Sequence, residues 1–196
     1  DDYAPLLMAL ATFGAGFFMR PVGGVLLGMY ADRKGREAAM QLIIRLMTLS
    51  IAMIAFAPDY LAIGMGAPML IVVARMLQGF ATGGEYASAT AFLVESAPAH
   101  RKGLYGSWQL VGQCLAVFSG ASMVALVTHV CSPEALDAWG WRIPFVFGLL
   151  IGPVGLWIRK HMEEPEEFVE ARRQAKGQSP SLWQVLREHR RSLLVS

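Results

Sequence analysis

Apolar residues fill this chain in five long runs, and charge gathers in the short gaps between them. The runs cover approximately 5–28, 38–57, 67–94, 104–129 and 142–159. Each approaches or exceeds the roughly 20 apolar residues that a helix needs to cross the hydrocarbon of a bilayer. The connectors are DRKGRE, the APDY turn, ESAPAHRKG and CSPEALDAWGW. After Arg159 the pattern changes. Residues 161–191 are charged and amphipathic, which predicts a cytoplasmic juxtamembrane segment rather than a span. Residues 192–196, SLLVS, read as the possible start of another span. The chain opens DDYAP, without Met or a basic leader, so it reads as an excerpt of a longer protein with no cleavable signal peptide. The expected fold class is an all-α membrane protein.

Composition supports the same class. The chain is 55% hydrophobic and 16% charged, where soluble domains average about 25% charged residues. A net charge of +2 carries no nucleic-acid signal. Cys114 and Cys131, if on one helix, lie roughly 25 Å apart, too far for an intrachain disulfide. Enzyme signatures are missing: there is no phosphate loop, no HExxH and no GxSxG. His100, His129, His161 and His189 have no metal-ligand spacing. The expectation is a non-enzyme without metal or organic cofactor.

The placement of charge predicts an orientation. Arg33, Lys34 and Arg36 share one connector, Arg101 and Lys102 lie two connectors later, and Arg159 and Lys160 follow the fifth run. The alternate connectors, around Asp59 and around Glu134 and Asp137, hold no Lys or Arg, and Arg142 alone is basic near that boundary. By the positive-inside rule the basic connectors and the tail face the cytoplasm.

Charges also lie inside the runs, where each costs on the order of 2.5–3.5 kcal/mol at the membrane centre and usually faces a bundle interior. Arg20 is in the first run; Arg75 and Glu85 are in the third. Arg75, Gln78, Thr82 and Glu85 follow steps that place them on one helical face, with Tyr86 beside it. Two readings stand: an aqueous cavity lined by this stripe, or a buried network that fixes helix packing. Arg20, followed by Pro21, is either functional or snorkels to the interface; Arg45 is read as snorkelling. Gln109 and Gln113 share a face of the fourth run and are candidates for the same cavity. Small residues four apart, Gly24 and Gly28, Gly79 and Gly83, and Gly112, Ala116 and Gly120, predict close helix contacts.

Taken together, the motifs resemble the major facilitator superfamily. GMYADRKGR is similar to its loop 2–3 motif, and RMLQGFATGGEYASA to its fourth-helix Arg-x-x-x-Gly motif. RPVGG, QGF-x-x-GGEY with ESAP-x-x-RKG, and WGWRIPF narrow the resemblance to the metabolite–proton symporter family, from the first residues to about Phe168. The resemblance implies a partial major-facilitator bundle, helices two to six of twelve, that depends on the remaining helices of the same transporter. It implies proton-coupled symport across the inner membrane of a small carboxylate, such as citrate or 2-oxoglutarate, or of a zwitterion such as proline or betaine. The proton is then the coupling ion. Gly28, Asp32, Arg33, Gly35 and Arg36 correspond to an interdomain latch, with Glu37 where the family usually has a basic residue. Arg75 is the implied coupling or substrate charge and Glu85 a candidate proton carrier; Gln78, Tyr86, Arg20, Gln109 and Gln113 complete the candidate site. The alternatives are a drug or metabolite antiporter, against which stands the lack of proline between Lys102 and Ser132, and a non-transporting sensor on the same fold.

Overall fold

The computed structural model describes residues 3–160; the segments expected at 161–191 and 192–196 lie outside them. Seven α-helices account for most of the described chain: α1 (Tyr3–Lys34), α2 (Arg36–Ala55), α3 (Tyr60–Ile63), α4 (Gly66–Glu95), α5 (Lys102–Val130), α6 (Pro133–Ala138) and α7 (Ile143–Lys160). The five long ones are the five apolar runs. Their ends differ from the expected boundaries in one instructive way. The charged knot after Gly28 is not a loop: α1 runs on through Asp32, Arg33 and Lys34, and α2 begins at Arg36. Gly35 alone makes the reversal, at φ 109°, a conformation open to glycine and strained for other residues. Its N–H still bonds the Ala31 carbonyl at 2.9 Å, so the chain turns without leaving the helical ladder unsatisfied.

Four stretches are long and apolar enough to cross a membrane: Leu7–Lys34, Arg36–Ala55, Ala99–Val130 and Gly140–Ile158. The fifth expected span, α4, is not among them, although its 30 residues cover about 45 Å. Arg75, Gln78, Thr82 and Glu85 dilute its apolar content. The packing shows why such a helix is tolerated: α4 touches α1, α2, α3 and α5, so neighbours cover much of its surface.

The most extensive contact joins α1 to α4, which run parallel; α2 packs on α4 and on α7. Leu27, Ile43 and Ala81 form a small buried cluster, extended by Leu42, Leu46, Met47 and Phe80. Beyond the cluster, Ala31, Ala39 and Ala74 are fully buried, with Met40 and Ile54 nearly so. Small residues of this kind bring helix backbones close where lipid supplies no hydrophobic drive. A second close seam has α7 set against α2 in the antiparallel sense, with Gly148 facing Ile51, Gly152 facing Thr48 and Gly155 facing Ile44. By contrast α5 buries only Val127, and a Cβ added to Gly112 or Gly120 would meet nothing of another helix within 4 Å, so the close contacts expected at these glycines are not made among the described residues.

The Asp59 end of the bundle is tied by one side chain. Arg142 donates to Asp59 Oδ1 at 2.8 Å and to the carbonyls of Ala57 and Ala138, each at 3.0 Å. Its guanidinium also lies 4.2 Å from the Trp141 ring centroid. The connector after α2, the end of α6 and the start of α7 therefore share one anchor. Ser132 caps α6 by accepting the Ala135 N–H at 3.3 Å. The Glu134 carboxyl is held below the usual carboxylate range by its own backbone N–H and then by the Ser132 hydroxyl.

Candidate functional site

The site begins as a packing problem. Down the α1–α4 seam, a Cβ placed on Gly79 would collide with the backbone of Gly16, one on Gly23 with that of Phe80, and one on Gly83 with that of Arg20. A Cβ on Gly16 would come 3.0 Å from the Arg75 carbonyl oxygen. The contact is thus reciprocal. Arg20 of α1 lies against Gly83 of α4, and Arg75 of α4 lies against Gly16 of α1. With the backbones so close, both long side chains emerge into the same space. Of the glycines expected to build this seam, Gly79 and Gly83 do so and Gly24 lies near it, its Cβ position 3.5 Å from the Gly83 carbonyl oxygen, while Gly28 has nothing within 4 Å. On α1 the tightest positions are Gly16 and Gly23, seven residues apart rather than four. A step of seven, two full turns, keeps to one face of α1.

That space is a cavity of about 230 Å³ lined by Phe13, Gly16, Phe17, Arg20, Arg75, Gln78, Gly79 and Thr82. The Arg20 guanidinium carbon sits 3.9 Å from the Phe17 ring centroid, and that of Arg75 sits 5.5 Å from the centroid of Phe13. The two rings are tilted at 46° with centroids 5.8 Å apart. Arg75 Nη1 donates to Gln78 Oε1 at 2.8 Å, and Thr82 Oγ1 donates to the Gln78 carbonyl at 2.8 Å. Pro21, inside α1, has no N–H to give the Phe17 carbonyl, which interrupts the helical ladder beside the cavity.

Neither guanidinium forms an ion pair with a carboxylate among the described residues. A membrane-centre arginine costs on the order of 2.5–3.5 kcal/mol, while a cation–π contact returns about 0.5–2 kcal/mol. The rings and the single amide offset part of that cost. Two positive charges facing one cavity leave a positive field there, which an anion entering from water would neutralise.

The structure therefore brings together Arg20, Arg75 and Gln78 of the expected residues, with Thr82 of the same α4 stripe. Glu85 is half-buried and Tyr86 exposed on α4, and neither lines the cavity. Gln109 is half-buried and Gln113 exposed on α5, and neither lines it. Sequence reasoning missed Phe13 and Phe17. Their signal was present: 13, 17 and 20 follow steps of four and three, so the two rings and Arg20 share a face of α1. Among the described residues no group of three or more His, Cys, Asp or Glu converges as a metal site does.

A second charged constellation sits at the Gly35 end. Arg36 donates through Nε and Nη2 to the two carboxylate oxygens of Glu95, at 3.2 and 2.9 Å, and through Nη1 to Asp32 at 3.0 Å. The guanidinium thereby joins the end of α1, the start of α2 and the end of α4. Its side chain is 15% exposed and that of Glu95 24%, whereas Asp32 is 62% exposed. Arg33 is exposed beside them. Glu95, 59 residues from Arg36, is a partner that the pattern of the loop did not reveal.

Residues 2–184 match the family described as Sugar (and other) transporter. The chain is 40% identical over 191 residues to the citrate-proton symporter of Klebsiella pneumoniae, covering 95% of this chain and 43% of that protein. It is 41% identical over 162 residues to the shikimate transporter of Escherichia coli K12, covering 83% and 37%. With the proline/betaine transporter of Salmonella typhimurium the identity is 38% over 168 residues, covering 86% and 34%. The chain thus spans less than half the length of these relatives. Its fold matches the inward-open conformation of the xylose transporter XylE from E. coli with a TM-score of 0.71 at 20% identity, over 98% of this chain and 47% of that one.

Proposed function

This chain belongs to the sugar (and other) transporter family of the major facilitator superfamily, and from that premise we propose that it forms part of a proton-coupled symporter for a small organic carboxylate or zwitterion. The observation that carries this reading is the pair of guanidiniums, Arg20 and Arg75, that face one cavity between two membrane helices without a carboxylate partner among the described residues. Intramembrane charges of this kind mark solute and ion pathways. Citrate, shikimate, proline and betaine, the solutes for which these relatives are named, all carry a carboxylate.

In this mechanism the carboxylate enters the cavity and receives hydrogen bonds from both guanidiniums. Rocking of this bundle against the rest of the full-length protein then exposes the solute to the other side, as in transporters with midplane sites. The Arg36–Glu95–Asp32 cluster holds α1, α2 and α4 together at one end, so they move as a unit. Glu85, half-buried on the same helix as Arg75, is the carboxylate that takes the coupling proton. The basic Gly35 end faces the cytoplasm of an inner membrane, by the positive-inside rule.

Uptake by the full-length protein in proteoliposomes tests the reading. Labelled citrate, 2-oxoglutarate, succinate, shikimate, proline and betaine are offered with and without an inward proton gradient. Accumulation of one compound that collapses with a protonophore supports symport. Uptake indifferent to the gradient, or outward movement driven by it, sinks that mechanism. Glu85→Gln is expected to abolish gradient-driven accumulation while leaving solute exchange intact; retained accumulation removes Glu85 from the proton path.

A further inference from the structure

Resting on the transport reading above, we infer that the site is built for a solute with two or more carboxylates and no cationic group, and that Phe13 and Phe17 set this preference. Zwitterions and polycarboxylates both carry a carboxylate, so the guanidiniums alone do not separate them. What separates them is the partner available for a positive headgroup. An ammonium or quaternary ammonium is recognised by a carboxylate or by open aromatic faces. No carboxylate lines this cavity among the described residues. The aromatic rings are present, but each has one of the protein's own guanidiniums over it: Arg20 at 3.9 Å from Phe17 and Arg75 at 5.5 Å from Phe13. A betaine headgroup on the ring face that either guanidinium occupies would meet a like charge.

The remaining polar groups point the same way. A guanidinium has no acceptor, so the Gln78 atom facing Arg75 must be the carbonyl Oε1, as found at 2.8 Å. That contact turns the amide NH2, a pure donor, toward the rest of its surroundings. Thr82 spends its hydroxyl proton on the Gln78 carbonyl. Donors in the lining, two guanidiniums and an amide NH2, therefore outnumber its acceptors, the Thr82 hydroxyl oxygen and the Phe17 carbonyl beside Pro21. Phe13 and Phe17 act as positioning residues: they orient the guanidiniums and deny their ring faces to a competing cation.

The test is calorimetric binding to the purified full-length protein, with uptake in proteoliposomes measured alongside. Citrate and succinate probe the polycarboxylate class, acetate a single carboxylate, and glycine betaine and proline the zwitterions. Citrate or succinate is expected to bind at least tenfold more tightly than acetate, and betaine and proline not to compete at hundredfold excess. Phe17→Leu keeps an apolar side chain but removes the π face, and is expected to weaken citrate binding about tenfold with an unchanged unfolding temperature. Arg20→Gln uncovers the Phe17 ring and is expected to let betaine compete. Betaine or proline binding wild type as tightly as citrate overturns the inference, as does binding of none of the five, or Phe17→Leu with unaltered citrate affinity. Binding in the expected order without any flux leaves the site preference standing and overturns the transport reading instead.

Discussion

The chain holds two kinds of arginine, and their surroundings differ more than their positions in the sequence suggest. Arg36 and Arg142, at the two ends of the bundle, each meet three acceptors between 2.8 and 3.2 Å, at least one of them a carboxylate. Arg20 and Arg75, within the apolar length of α1 and α4, meet aromatic rings and a single amide oxygen. The end arginines each meet a carboxylate, and each ties together elements distant in sequence. The inner pair is held in place but not neutralised. Pairing with a carboxylate suits a residue whose task is to stay put; an uncompensated charge suits one that must accept and release a charged solute.

The largest effect should come from the inner pair. Arg75→Gln keeps a hydrogen-bonding side chain and removes the charge. Truncating one partner of a buried charge interaction typically costs 2–5 kcal/mol of binding. Uptake efficiency of the full-length protein should therefore fall by about two orders of magnitude or more, while its unfolding temperature changes little. A variant that loses thermal stability as heavily as activity would show Arg75 to be a packing residue, no different in kind from the end arginines.

Next in size is the seam that brings the inner pair together. Gly79→Ala sets a methyl against the Gly16 backbone, which has no flexible side chain to move aside. Overpacking of a tight contact costs about 1–3 kcal/mol, and here it also pushes α1 from α4 and separates the two guanidiniums. Both unfolding temperature and uptake should drop. Gly103→Ala, at the exposed start of α5 with nothing within 4 Å, serves as the comparison and should be neutral or slightly stabilising, since alanine favours the helix. Equal losses from both substitutions would show that the seam is looser than drawn.

The seam also marks where the sequence stopped being readable. The five long helices were legible because an apolar run of about 20 residues has few alternatives to a helix in a bilayer. The stripe of Arg75, Gln78 and Thr82 was legible because helical periodicity alone puts them on one face. The meeting of Arg20 with Arg75 was not, since it depends on α1 and α4 lying parallel and in one register, a long-range fact that no local pattern encodes. The same applies to Glu95 finding Arg36. Glycine spacing found Gly79 and Gly83 on α4, but on α1 it pointed to Gly24 and Gly28, where the tightest contacts fall at Gly16 and Gly23. A small-residue motif states that close approach is possible; the partner helix decides which face is used. Gly35 shows a gentler version of this limit. Its neighbours are charged, which suggested a loop, but outside the hydrocarbon Asp32, Arg33 and Lys34 continue a helix at little cost, and one glycine suffices to turn the chain.

The end arginines should respond more weakly, and unequally. Glu95→Gln breaks a bidentate contact between groups only 15% and 24% exposed. Hydrogen bonds to charged groups contribute about 1.5–3 kcal/mol, so the variant should be measurably less stable and should shift the accessibility of cysteines introduced along α4. Asp32→Asn touches a carboxylate that is 62% exposed, where an ion pair contributes about 0–1 kcal/mol. Its effect on unfolding should be small. If Asp32→Asn nevertheless abolishes uptake with stability intact, Asp32 acts on a surface outside this bundle, as the latch reading requires.

The smallest effect is expected at Asp59. Its side chain is 72% exposed, and Arg142 keeps two backbone carbonyls, those of Ala57 and Ala138, when the carboxylate is lost. Asp59→Asn should therefore lower the unfolding free energy by no more than a surface pair contributes, about 0–1 kcal/mol, and the unfolding temperature correspondingly little. Arg142→Lys should cost more than Asp59→Asn even though it keeps the charge, because one ammonium lacks the planar fork that reaches three separated acceptors at once. That ordering sharpens the contrast between the two kinds of arginine. At the ends the shape of the guanidinium matters more than its charge, and a lysine fails; in the cavity the charge matters most, and Arg75→Lys should retain part of the activity that Arg75→Gln loses. Thermal unfolding of the end variants beside uptake by the cavity variants measures both halves of the comparison. Equal tolerance of lysine at Arg75 and at Arg142 would mean that the two environments are not doing different jobs.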